Sequence, residues 1–298
     1  MAKILVTGAS GLLGFEICRQ LMSQGHEIWA VDNLSRGNLT PPCSEWVNVD
    51  LTEKHEWPND FDYIYHYSAI NGTKNFYERP NYLLWNNIMG DFAMFDVAQQ
   101  QTNLKKFVYA STSEIVSGDT DAAVAEKTDI VIKNIHNARW SYRLPKLCAE
   151  NYLANSDLPW LCLRYFNVYG SQSKSGHFVA DQINKIKQGK FELTGADETR
   201  SFCHVQDAVQ ATVHCAEIAV KRVINVGNDF EIRIQDAANI IASALGVHAP
   251  QWQITPSLPG STATRRPNIE QLRALMSSYH PQDFATGMIE VLQNGDWK

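Results

Sequence analysis

The chain opens on an unbroken apolar and β-branched run, residues 3–7 (KILVT), the pattern of a strand covered on both faces. Glycines at 8 and 11 break it. Residues 12–24 then repeat apolar positions at helical spacing, with Leu13, Ile17, Leu21 and Met22 on related faces, and Gly25 stops the helix. A second apolar run, 27–31, closes on Asp32-Asn33. The alternation continues with a strand over 63–67, a long helix over 82–101, a strand over 106–111, a helix over 142–155 and a strand over 160–165. Strands alternating with helices predict an α/β fold with a doubly wound parallel sheet.

After Gly170 the texture changes. Residues 171–176 (SQSKSG) are small and polar, which marks a loop and a domain boundary. Beyond it come short helical patterns at 179–188, 206–219 and 234–245, short strands at 191–193 and 223–226, and a Pro/Ser/Thr/Arg stretch over 255–267. The expectation is a dinucleotide-binding domain over 1–170 and a smaller α+β substrate-binding domain over 171–298. Some of the later segments are expected to return to the first domain. The smaller domain would cover the carboxyl edge of the sheet, where open α/β sheets bind ligands.

Gly8-x-x-Gly11-x-x-Gly14 lies between the first strand and the first helix. The first glycine permits the tight turn, the second lets a pyrophosphate approach the backbone, and the third lets helix and strand pack closely. Phosphates would rest on the helix N-terminus, against Ser10, Leu12 and Leu13. Asp32 ends the second strand, where a carboxylate receives an adenosine ribose diol and repels a 2′-phosphate. The cofactor is therefore read as NAD, although Arg36 stands close enough to soften the preference.

Composition narrows the classes. The chain has 298 residues, 44% hydrophobic and 19% charged, enough to bury a large core. A net charge of -6 argues against nucleic acid as a partner. Apolar runs fall short of the roughly 20 residues of a membrane span, so no membrane partner is expected. The six cysteines form no CxxC pair and no metal spacing, and read as buried, reduced thiols of a cytoplasmic protein.

Tyr142-x-x-x-Lys146 opens a helix, and the i, i+4 spacing sets both side chains on one face. A phenol is a poor base at neutral pH; a neighbouring ammonium favours the phenolate, giving a base that takes a hydroxyl proton while hydride leaves the same carbon. Pro145 between them is tolerated in a first helical turn, which places the helix start near residues 140–142. The cluster Ser111-Thr112-Ser113-Glu114 precedes the pair at a strand end. His66, His177 and His204 read as packing or substrate contacts rather than catalysts. Trp85 and Trp140 read as core or interface aromatics.

With these motifs in order, the chain resembles the extended short-chain dehydrogenases/reductases, and within them the NAD-dependent nucleotide-sugar epimerases, dehydratases and decarboxylases. The markers are TGASGLLG (7–14), VDNLSRG (31–37), Asp50-Leu51, HYSA (66–69), Asn87-Ile88-Met89-Gly90, ASTSE (110–114), Tyr142/Lys146, RYFNVYG (164–170), RSFCHVQD (200–207) and RRPNI (265–269). The resemblance implies a nucleotide-diphosphate-sugar substrate, a homodimer built on the two long helices, and roles for individual residues. Asn33, Asp50, Leu51, Tyr67, Ser68, Ala69, Asn87, Phe166 and Val168 would join the cofactor site. Lys146 would hold the nicotinamide ribose and Tyr142 would be the base. Asn71, Asn167, His177, Arg200 and Arg265 would contact the substrate. Thr112 or Ser113 would bond the hydroxyl being oxidised. An ungapped STSE favours Thr112; the extra residue in Ile115-Val116-Ser117-Gly118 favours Ser113.

Such enzymes share a first step, oxidation of the C4 hydroxyl to a ketone. An epimerase returns hydride to the other face. A 4,6-dehydratase needs an acid and a base for C6 and C5, whereas a decarboxylase needs only a carboxylate beside the new ketone. Glu114 is the residue that tilts the choice, because the TSE arrangement resembles uronate decarboxylases and some dehydratases. RRPNI resembles the RKPxI segment of UDP-glucuronate decarboxylases. A lyase is thus favoured over a 4-epimerase, and both over a non-catalytic NAD-binding regulator, which would be expected to lack Tyr142 or Lys146.

Overall fold

A computed structural model describes residues 1–37, 39–116, 123–173 and 175–295. Ser117 and Gly118, which bear on the Thr112/Ser113 alignment, lie outside the described residues. The elements run β1 (Lys3–Thr7), α1 (Leu12–Ser23), β2 (Glu27–Asp32), β3 (Glu45–Asn48), β4 (Tyr63–His66), α2 (Thr73–Glu78), α3 (Pro80–Gln99), β5 (Lys106–Thr112), α4 (Trp140–Ala154) and β6 (Trp160–Tyr165). With the later strand Arg222–Val226 they build a seven-stranded sheet in the order Arg222–Val226, β6, β5, β4, β1, β2, β3. Every pairing in it is parallel.

Burial explains the unbroken apolar runs: all six residues of β6 and four of the five in β1 are buried. One face packs under α1 and the helix Val205–Ile218, through Ile4, Val6, Ile17, Leu21 and Val209. The other packs under α3 and α4, through Leu5, Ile64, Phe95, Phe107 and Leu153. A third cluster joins Phe178–Lys187, Ile234–Ala244 and Phe284–Asn294 around Ile183, Phe202, Ile241 and Met288. No helix among the described residues is long and apolar enough to cross a membrane.

Several boundaries differ from the sequence reading. The long helix starts earlier, at Pro80, because proline is well placed in a helix's first turn. α4 begins at Trp140, which sets Pro145 in the second turn rather than the first, where its missing N–H withdraws a bond from Ser141. β3 lies outside the alternating pattern: it is a short edge strand whose ends, Glu45 and Asn48, are exposed. Met22 is also exposed rather than facing the sheet, because it lies past the buried stripe of Ile17 and Leu21.

The glycine turn fixes the distance between α1 and β1. A Cβ on Gly14 would lie 2.2 Å from the Gly8 carbonyl oxygen and 2.9 Å from Ala9 Cα. Gly8, at φ +67°, would press a Cβ to 2.6 Å from the Ser68 nitrogen. Both obstacles are backbone, which cannot rotate away as a side chain can. Gly14→Ala should cost at least ~2 kcal/mol of stability, read as a lower urea midpoint with an unchanged m-value; an unaltered midpoint would show that the turn relaxes.

Candidate active site

A cavity of about 490 Å³ opens at the carboxyl ends of the strands. The glycine turn walls one end with Gly8, Ser10, Gly11, Leu12, Leu13 and Gly14, together with Asp32 and Asn33. The segment after β4 adds Tyr67, Ser68, Ala69 and Asn71. Thr112, Ser113, Glu114, Tyr142 and Lys146 form the middle, and Asn167, Val168, His177, Arg200 and Arg265 close the far side. Asp50, Leu51 and Asn87 line a small adjoining recess that shares Asp32, Asn33 and Ser68 with the cavity. Phe166 is the exception among the residues read from sequence. It is fully buried with Ile115, Val116 and Val124, and its ring packs on Gly227. Next to it Asn167 takes a left-handed φ of +39°, which turns its side chain toward the cavity and the Ser201 carbonyl, 2.8 Å away.

The first end fits a dinucleotide. Gly11 precedes α1 in extended backbone, so the first amides of the helix point outward with no side chain over them. The Asp32 carboxylate accepts from the Ser10 and Leu34 amides at 3.0 and 2.8 Å, which fixes it at the rim of β2. Asp50 accepts from the Thr52 amide and hydroxyl and from Asn33, at 2.9, 2.8 and 2.8 Å. Burial opposes its charge, but these bonds hold it below the usual carboxylate range. Asn87 spends its amide on the Ile70 backbone, accepting at 2.7 Å and donating at 2.9 Å, and so braces the loop that carries Asn71.

In the middle, the Tyr142 ring stacks on Phe76 with centroids 5.3 Å apart. Thr112, which lines the cavity with it, acts to lower the phenol, and its hydroxyl accepts from the Glu114 amide at 3.2 Å. Ser113 is buried beside it and lines the same cavity. Burial pushes the Tyr142 phenol up to about 12; Thr112 and the positive charge of Arg36 act against that rise. Lys146, one helical turn on in α4, lies over the face of the Tyr109 ring, 4.5 Å from its nitrogen. Arg36, from the loop after β2, donates to Asn71 across the cavity.

Glu114 sits in a one-turn helix, Ser113–Ile115, that continues β5. Three guanidinium groups close on its carboxylate: Arg265 at 2.5 Å, Arg143 at 3.1 Å and Arg139 at 3.4 Å. Arg143 also donates to the Gly260 carbonyl and Arg265 to Thr262. Burial opposes the charge, yet the arginines hold the Glu114 carboxyl far below the usual range. An exposed loop-capping carboxylate is excluded. Arg139 and Arg143 were not read from sequence; their i, i+4 spacing around Tyr142 was the signal that could have found them. Arg200 is tied to Glu198 at 2.5 Å and to Ser261 at 3.1 Å.

His66 and His204 are buried, as packing roles require, whereas His177 faces the cavity. Trp140 is buried and Trp85 is exposed. All six cysteines are free thiols; Cys148 is exposed and Cys43 half-buried, contrary to the expectation of six buried thiols, because they lie on the outer side of α4 and in the loop before β3.

The pattern of the NAD-dependent epimerase/dehydratase family matches residues 4–227. A UDP-N-acetyl-alpha-D-glucosaminuronate decarboxylase of Bacillus cytotoxicus is 30% identical over 314 residues, covering 98% of this chain and 97% of that protein. UDP-glucuronic acid decarboxylase 1 of Danio rerio is 27% identical, covering 92% and 68%. Among solved structures, the epimerase Mth375 of Methanothermobacter thermautotrophicus has the same fold, with a TM-score of 0.89 at 24% identity over 99% of this chain and 91% of that one.

The arginine clamp has a measurable consequence. Glu114→Gln leaves three buried guanidinium groups without their counter-charge and should lower stability by about 3 kcal/mol at neutral pH. Because the folded-state pKa of Glu114 is depressed, its contribution is present above the unfolded value and fades as pH falls below about 4.3. Urea unfolding at pH 7 and in acid should show the gap between wild type and variant closing; a constant gap would mean that charge is not its source.

Proposed function

We propose that this chain, which belongs to the NAD-dependent epimerase/dehydratase family, decarboxylates a UDP-linked hexuronate through a 4-ketone. Its cofactor is NAD and its substrates are nucleotide sugars, as for that family. When bound, NAD accepts hydride from the sugar carbon and later returns it. The glycine turn, the N-terminus of α1 and Asp32 would hold it, with Lys146 on its nicotinamide ribose.

Tyr142 takes the C4 hydroxyl proton, and Thr112, which lines the same cavity, orients the same oxygen. Hydride loss makes C4 a ketone, which stands β to the C6 carboxylate. The C5–C6 bond then breaks, its electron pair passes to the C4 oxygen as an enolate, and carbon dioxide leaves. Tyr142, now protonated, donates to that oxygen, and C5 takes a proton from water.

The observation that carries this reading is the clamp on Glu114. Three arginines surround one carboxylate, so the cluster keeps two positive charges in surplus, and Arg139 and Arg265 open onto the cavity. That surplus suits a sugar with a carboxylate of its own. Glu114 itself, held ionised, carries no proton for a departing C6 hydroxyl, so dehydration lacks its acid. The glucosaminuronate decarboxylase relative supports the same choice.

Incubation with UDP-glucuronate and UDP-N-acetylglucosaminuronate should yield a product lighter by one carbon dioxide, with no stoichiometric NADH. Tyr142→Phe should retain NAD and lose turnover by at least ~10³-fold. A product of unchanged mass with a new sugar would replace the reading with epimerisation.

A homodimer belongs to the same proposal. Tyr82, Trp85, Met89 and Phe92 are exposed on α3 at spacings of three and four residues, an apolar stripe beside α4. Sedimentation should give twice the chain mass, and Trp85→Glu should give a monomer; a monomeric wild type would end this part of the proposal.

A further inference from the structure

Behind the cavity lies a set of buried polar groups that the reaction as described does not use. Asp91, on α3, and His66, at the end of β4, are both buried, with His66 Nε2 3.0 Å from an Asp91 oxygen. The other Asp91 oxygen accepts from the Tyr109 hydroxyl at 2.7 Å. On its far side the His66 ring meets Thr7, with Nδ1 2.6 Å from the threonine hydroxyl. Thr7 also accepts from the Ser68 amide at 3.3 Å, and its hydroxyl proton remains free for His66 Nδ1. With Asp91 ionised, the neutral ring carries its proton on Nε2 and donates it to Asp91, while Nδ1 accepts from Thr7. Burial lowers the His66 pKa and keeps the ring neutral, while burial raises the Tyr109 phenol well up and keeps it a donor. As a carboxylate, Asp91 thus receives a hydrogen bond at each oxygen, from His66 and from Tyr109.

A buried anion needs a cation. Lys146 lies on the other side of Tyr109, itself 2% exposed, with its ammonium against the ring that donates to Asp91. We propose that Asp91 is a positioning residue for the redox step, its buried carboxylate serving as the counter-charge that keeps Lys146 an ammonium one helical turn from the catalytic tyrosine. The proposal rests on Lys146 serving the NAD site. The groups facing Lys146 are Asp91 of α3, Tyr109 of β5, His66 of β4, Cys162 of β6 and Glu150 of α4. Cys162 is pushed well up by burial and stays a neutral thiol. Glu150 is spent on Arg164 at 2.7 Å and on Ser111. Burial lowers the Lys146 pKa, and Asp91 is the largest influence against that fall. Asp91 also raises the phenol of Tyr142.

Removing the Asp91 charge therefore moves both groups the same way. In Asp91→Asn, Lys146 should lose its proton at lower pH, and both limbs of the pH profile for 4-ketone formation should move to lower pH by about one unit. Turnover at pH 8 should fall about tenfold with KM little changed. Lys146 is titrated directly by NMR of 13Cε-labelled lysine, its signal identified by its loss in Lys146→Met. That titration needs no sugar, so it stands even if the proposed reaction fails. Tyr109→Phe, which keeps the ring and the Asp91 charge, should leave Lys146 near its wild-type titration. An unmoved Lys146 in Asp91→Asn, or an equal fall in Tyr109→Phe, overturns the proposal. If Asp91→Asn does not fold, a wild-type Lys146 that titrates below pH 7 overturns it as well.

Discussion

An ammonium or carboxylate taken out of water loses several kcal/mol of hydration and persists only where opposite charge or hydrogen bonds replace the solvent. The carboxyl edge of this sheet is governed by that requirement. Lys146 faces the Tyr109 ring with Asp91 behind it, Glu114 lies among Arg139, Arg143 and Arg265, and Arg164 is paired with Glu150. The pairs join α4, which carries Arg143, Lys146 and Glu150, to α3, β5, β6 and the segment around Arg265.

The same requirement sorts the chemistry. Burial, with the charges of Glu114 and Asp91, makes Tyr142 a weaker acid, up to about 12, while Thr112 and the cation Arg36 act the other way. A base of this kind is quiet until further positive charge or a substrate hydroxyl arrives. Glu114 lies at the other extreme: its arginines fix it as an anion, so it can orient and repel but not deliver a proton. Within one cavity, one hydroxyl keeps its proton until charge or substrate arrives, and its neighbouring carboxylate is barred from carrying one.

The architecture follows from α/β logic with one refinement. The strand Arg222–Val226 lies far past the polar loop after Gly170 yet pairs with β6 at the sheet edge. The later part of the chain thus supplies both a strand of the main sheet and the helical cluster around Ile241 and Met288. That return brings Arg200 and Arg265 over the strand ends.

The local half of this site is legible in the order of residues along the chain. A glycine triplet between strand and helix, an acid at the next strand end and a Tyr/Lys pair one turn apart are all specified by spacing along the chain, because backbone geometry fixes where neighbours in sequence point. The alternation of apolar runs likewise fixed the parallel sheet. Tertiary structure alone decided which charges meet. Arg139, Arg143 and Arg265 reach Glu114 across separations of 25, 29 and 151 residues. His66 reaches Asp91 over 25, and Phe166 turns into the core although its neighbour Asn167 turns out. Spacing along the chain is silent on such pairings, since they depend on how layers pack and on which buried charge finds a counter-charge within reach.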